Sequence, residues 1–231
     1  MKLTKFEKTL WLCSVLIISV SFFFGTDKNP LTLIASLIGV TSLIFIARGE
    51  VIGQILMIIF SLIYGYISFG FAYYGEMLTY VGMTAPTAAI AAVEWIRHPF
   101  EKGKSQVAVA KLTTAKITGL GILTIIVTGV FYLVLKYFNT ANLIISTISV
   151  ATSFFAAGLS VLRSPYYALA YASNDVVLIV MWLMASITNR GYIPMAVCFI
   201  VFLVNDIYGF VSWKHMMKMQ KKRIRERVEG K

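Results

Sequence analysis

Two Asn-Asp dipeptides, Asn174-Asp175 and Asn205-Asp206, stand inside long apolar runs, with Tyr171 one turn before the first and Tyr208 just after the second. An amide both donates and accepts, a carboxylate supplies counter-charge, and a tyrosine ring stacks on a flat solute or attracts a cation. Together these groups suit an aromatic solute with polar edges and a positive charge. Tyr167 and Tyr171 are four apart, and Tyr171, Asn174, Asp175 and Leu178 fall on one helical stripe. Further polar residues inside apolar runs are Gln54, Ser61 and Tyr64, and then Thr79, Tyr80, Thr84, Pro86 and Thr87. The plainer alternative is that both Asn-Asp pairs hydrogen-bond across a bundle and only join helices. Glu50 and Glu76 stand at the ends of apolar runs, where solvation is expected. Neither His98 nor His215 has a Cys, His or acidic partner at metal-ligand spacing, and no phosphate loop, nucleophile elbow or cysteine cluster occurs. The residues thus predict no enzyme, no metal and no cofactor.

The elements that carry these residues must lie in a membrane. Hydrophobic residues make up 58% of the chain and charged ones 13%, and the mean hydropathy is +0.80, values foreign to a water-soluble domain. A hydrocarbon core about 30 Å thick takes about 20 helical residues. Runs of that length predict an all-α polytopic protein with eight spans, at 10–25, 30–47, 51–72, 77–96, 117–136, 142–162, 166–188 and 192–213. The first run follows three lysines but lacks a small-residue cleavage site, so it reads as a span and not as a signal peptide. With the N-terminus inside, every Lys and Arg except Lys28, Lys136 and Arg190 falls on the cytoplasmic side. This places both termini in the cytoplasm and explains the net charge of +11 by topology, so nucleic acid is not an expected partner. The basic tail reads as a solvated helix end beside anionic lipid, and Cys13 and Cys198, both within spans, read as small apolar side chains.

The polar stretch 97–116 separates two groups of spans, and the two groups resemble each other. "IFIAR" at Arg48 matches "GLSVLR" at Arg163, and Trp95 with His98 matches Trp213 with His215, at shifts of 115 and 118 residues. The predicted arrangement is an N-terminal segment and additional span (1–29), a three-helix repeat (30–96), a basic linker with a connecting span (97–141), a second repeat (142–213) and a basic tail (214–231). Three helices, one connector and three helices in parallel orientation form a transporter architecture, with the solute bound at mid-membrane between the repeats.

"VNDIYGFVSWKHM", "YGYISFGFAYYGEMLTYVGMTAPTAAIAAVEWIRHP" and "GKSQVAVAKLT" resemble the nicotinamide riboside transporter (PnuC) family over nearly the entire chain. The resemblance implies a plasma-membrane facilitator with a 3+1+3 core, a homo-oligomer such as a trimer, importing a vitamin precursor that intracellular phosphorylation then traps. The family's stacking motif, two tryptophans three apart with Asn or Asp four residues later, falls on Ala168 and Tyr171 when aligned on Asp175, so this chain reads "ALAY" there. Tyr167 or Trp182 is the expected source of the second ring. The implied roles are stacking by Tyr171, contact of Asn174 and Asp175 with the ring's charge or carboxamide, and contact of Asn205, Tyr208 and Gln54 with ribose hydroxyls. Asp206 is a further candidate, and Ser61 and Tyr64 belong to the facing wall. Thiamine or a nucleoside is the near alternative solute, and a non-transporting structural or sensory protein the distant one.

Overall fold

The computed structural model describes residues 3–24, 29–70, 74–140, 142–188 and 190–229, and the described residues form helices and connecting turns with two isolated bridges. The helices are α1 (Lys5–Phe24), α2 (Pro30–Ala47), α3 (Val51–Gly70), α4 (Tyr74–Thr79), α5 (Ala85–Arg97), α6 (Thr114–Tyr137), α7 (Leu143–Val161), α8 (Tyr167–Thr188) and α9 (Ile193–Glu229). Seven of them are long and apolar enough to cross a membrane. The eighth expected span exists as α4 and α5 joined by a π turn, Tyr80–Thr84, with no break in helicity. Pro86 explains the turn, because it has no N–H to continue the α ladder, and the wider spacing carries the Ala85 N–H to the Tyr80 carbonyl instead.

Local sequence sets the helix starts. α1 begins earlier than its hydropathy predicts because Thr4 and Glu7 cap each other, with Thr4 N 2.7 Å from Glu7 Oε2 and Glu7 N 3.2 Å from Thr4 Oγ1. Asn29 caps α2 ahead of Pro30, and Thr113 caps α6. α2 and α3 pack closely. A Cβ at Gly53 would stand 2.5 Å from the Ile46 nitrogen, so only glycine lets these backbones meet.

At one end of the bundle the chain repeats a single construction. The turn after α2 places Gly49 at φ +69° and the turn after α7 places Arg163 at φ +55°. The linker binds both turns, Val107 N donating to Gly49 O at 2.9 Å and Ala110 N to Arg163 O at 3.0 Å. Two fully buried tryptophans cross between halves, Trp95 Nε1 donating to Ser160 O at 3.0 Å and Trp213 Nε1 to Ile46 O at 2.8 Å. Their rings stand 5.3 Å apart, and Tyr167 packs edge-on against Trp213 at 4.8 Å.

The basic tail departs from expectation, because α9 runs unbroken for 37 residues. At 1.5 Å per residue that is about 55 Å, well beyond a bilayer core. The tail is not simply a solvated end, since Gln220 bonds the backbone of Val107 and Val109, both at 2.9 Å, and Arg223 and Arg227 each reach Glu101 Oε1 at 3.2 Å. Lys104 also pairs with Glu101. Its hydrogen bond is the main reason the Glu101 carboxyl sits below the ordinary value of 4.5, outweighing desolvation, with the charges of Lys104, Arg223 and Arg227 adding to it. A depressed carboxyl contributes its pairing above the unfolded pKa and loses it as pH falls through the folded one. Hydrogen-exchange protection over 218–229 is therefore expected to hold from neutral pH down to about pH 5 and to drop below about pH 4. In Glu101→Gln the protection should be lower throughout, with the acid step gone.

Candidate functional site

One cavity runs within the bundle, lined from α2, α3, α4, the π turn, α6, α7, α8 and α9. At the Trp95–Trp213 end the buried Tyr167 lines it and stands against Trp213, and both tryptophans are fully buried. Toward the other end it is lined by Gly75, Glu76, Leu135 and Thr140. Gly75 brings α4 against the α6–α7 connection, where a Cβ would stand 2.6 Å from Thr140 Oγ1.

Six of the eleven residues singled out in the sequence line this cavity: Gln54, Tyr167, Tyr171, Asn174, Asp175 and Asp206. Asn174 is fixed by α7, whose Ser149, Thr152 and Ser153 hydroxyls lie 3.3, 2.8 and 3.1 Å from its Oδ1. Asp175, one turn beyond Tyr171, faces the Asp206 carboxyl across the α8–α9 contact. Its Oδ2 is buried without a hydrogen-bond partner. An orphaned buried oxygen carries a desolvation cost that a ligand donor would relieve. Gln54 Nε2 donates to Ser160 Oγ at 3.0 Å and so ties α3 to α7 at the tryptophan end.

The other five lie elsewhere. Asn205 and Tyr208 face α1: Asn205 Nδ2 donates to Ser14 Oγ at 2.9 Å, and the Tyr208 hydroxyl to Glu7 Oε1 at 3.0 Å. Residues adjacent in a helix point about 100° apart, so Asp206 meets the cavity while Asn205 meets α1. Ser61 is fully buried and bonds the Met57 carbonyl at 2.8 Å. Tyr64 stands behind Glu76, and Trp182 packs 5.4 Å from Tyr192. Ala168 packs against α9, 3.3 Å from where a Gly209 Cβ would be, so the first position of "ALAY" serves helix contact.

The rings come from residues that the stacking motif did not mark. Phe60, Tyr80, Phe199 and Phe202 line the cavity with Tyr167 and Tyr171, and Phe60 contacts Tyr80 at 5.8 Å and Phe202 at 6.1 Å. Glu76, expected at a solvated span end, is half-buried, lines the cavity and accepts from the Tyr64 hydroxyl at 3.0 Å. Glu50 is also buried, 2.8 Å from Arg48 Nε. The cavity thus carries three acidic side chains, Glu76, Asp175 and Asp206, and no Lys, Arg or His among its described lining residues, in a chain of net charge +11. Among the described residues no three His, Cys, Asp or Glu side chains converge as metal ligands would.

Membrane-length helices around an aromatic, acid-lined internal cavity suit a membrane transporter of small solutes, and the proteins this chain resembles are transporters. The chain belongs to the nicotinamide mononucleotide transporter family, whose sequence profile it matches over residues 29–215. It is 24% identical over 219 residues to the nicotinamide riboside transporter PnuC of Neisseria mucosa, covering 93% of this chain and 83% of that one. To the nicotinamide riboside transporter PnuC of Haemophilus influenzae it is 21% identical over 216 residues, 91% of each chain. The fold matches the crystal structure of the vitamin B3 transporter PnuC with a TM-score of 0.80 at 23% identity, covering 95% of this chain and 94% of that one.

Proposed function

We propose that this protein is a facilitator that carries nicotinamide riboside into the cell by alternating access, with intracellular phosphorylation keeping uptake directional. The observation that carries the reading is the charge of the cavity, three acids and no described base around six aromatic rings. Nicotinamide riboside is a flat pyridinium cation with a carboxamide and ribose hydroxyls, and rings and carboxylates are its complement. A mononucleotide adds a phosphate, which such a cavity repels and offers no Arg or Lys to receive. The riboside is therefore the ligand, with Tyr171 against the ring, Asn174 and Asp175 at its charge or carboxamide, and Gln54 toward the ribose.

The matched turns at Gly49 and Arg163 and the crossed Trp95 and Trp213 bonds support two parallel three-helix repeats, 30–96 and 142–213, joined through α6, with α1 as the additional helix. The basic end is the cytoplasmic face of the plasma membrane, by the positive-inside bias of the loops. Self-association belongs to the same reading, and α6 offers an apolar outward face that includes Ile122, Ile125, Ile126 and Leu133. Proteoliposomes test the function. Preloaded with unlabelled riboside, they should accumulate labelled riboside by exchange without an ion gradient. Absence of exchange, or equal exchange of the mononucleotide, would contradict the reading.

A further inference from the structure

We infer that Glu76 is the residue that selects a positively charged ring over a neutral one, an assignment that rests on the reading of the cavity as a riboside site. Glu76 lines the cavity at the end remote from the tryptophans. Its side chain is held by Tyr64, whose hydroxyl donates to Oε2 at 3.0 Å. Tyr64 is itself fixed, only 7% exposed, with ring centroids 5.6 Å from Phe60 and 4.5 Å from Tyr80. Tyr80 follows Glu76 by four residues and also lines the cavity, so a carboxylate and a ring face share one side of the passage.

Glu76 differs from the other two acids in its company. Asp175 and Asp206 face each other, so part of their field is turned on one another. Glu76 faces no second carboxyl, and among the described residues no Lys, Arg or His pairs with it. A carboxyl with one hydroxyl donor and no counter-ion gains most from a cation placed beside it, which holds it ionised. The hydroxyl of Thr140 lines the same end and is buried without a partner, leaving a second oxygen there for a solute's donors. A purely structural role would need only the hydrogen bond to Tyr64, which a glutamine also accepts.

That difference gives the experiment. Affinities of the purified protein are measured for nicotinamide riboside and for its dihydro form, which has the same carboxamide and ribose but an uncharged ring. Glu76→Gln is expected to weaken the cationic riboside about ten-fold and to leave the dihydro form within about two-fold of wild type. Glu76→Asp, which keeps the charge, should retain the preference for the cation. If Glu76→Gln binds both ribosides as wild type does, or weakens both equally, the assignment is overturned while the riboside site stands. Wild-type protein that binds neither riboside would overturn the proposed function and this assignment with it.

Discussion

Asp175→Ala is expected to lower uptake of nicotinamide riboside about ten- to a hundred-fold while the protein still inserts and assembles. The substitution removes the one cavity carboxyl with a buried, unpartnered oxygen. A hydrogen bond to a charged partner contributes about 1.5–3 kcal/mol, and 1.4 kcal/mol is about ten-fold. Asp175 makes little other use of its side chain, so the folded protein loses a ligand contact and a carboxyl that faced Asp206. Asp175→Asn separates the charge from the hydrogen bond. It keeps an acceptor oxygen at that place and should retain more uptake of riboside and uncharged nucleoside alike than Asp175→Ala does, and the comparison is read by counting labelled solute in vesicles. Uptake by Asp175→Ala at the wild-type rate would remove this residue from the site.

The second large effect concerns stability and lies away from the cavity. Arg48 is buried between two buried acids, with Nη1 3.1 Å from Glu7 and Nε 2.8 Å from Glu50. Arg48→Met leaves both carboxylates without their cation. Breaking a buried pair from one side costs about 3–5 kcal/mol, and for a chain of this size 1 kcal/mol is about 2–4 °C, so the melting temperature in detergent should fall by about 6–20 °C. Glu7 also accepts from Tyr208, so α1 should loosen from α9 in the same variant, and proteolysis between α1 and α2 should become faster. Adding Glu7→Gln to Arg48→Met should recover part of the loss, because the second change removes one of the two unpaired charges. A melting temperature unchanged by Arg48→Met would show that the network does not hold α1.

These two sites show where sequence reading reached and where it stopped. Membrane spans were legible because every backbone polar group in lipid must be satisfied within its own helix, so the apolar runs map onto elements almost one for one. Hydropathy could not show that α9 continues past the bilayer, since what ends in water is decided by partners, here Val107, Val109 and Glu101. Nor could it show the π turn, although Pro86 was the signal that the ladder must adjust. Among the cavity-lining residues, Tyr171, Asn174 and Asp175 were conspicuous in the sequence because polar groups in apolar runs are few. Asn205 and Tyr208 were equally conspicuous, yet they face α1, which the sequence could not place against α9. The Thr4-Lys5-Phe6-Glu7 capping pattern was the available hint that α1 starts early enough to bring Glu7 there. Glu76 looked solvated because it stands near a span end, and its place in the cavity depends on Tyr64 twelve residues earlier.

The family resemblance carried the solute class, while the departure at "ALAY" left the stacking surface open. In the fold, rings other than tryptophan line the cavity. Ala168 is committed to the α8–α9 contact, and the aromatic walls are assembled from α3, the π turn and α9 as well as α8. Such a surface is spread over several helices and is invisible to any local motif.

The most direct test is the thermal stability of the purified protein with nicotinamide riboside, nicotinamide mononucleotide, thiamine and a neutral nucleoside added separately. A solute that binds only the native state at a hundred times its Kd stabilises by about 2.7 kcal/mol, or about 5–10 °C here. The account predicts that shift with nicotinamide riboside, none with the mononucleotide, and a smaller one or none with the others. A shift with the mononucleotide as large as with the riboside would contradict it, as would a riboside shift that survives unchanged in Asp175→Ala.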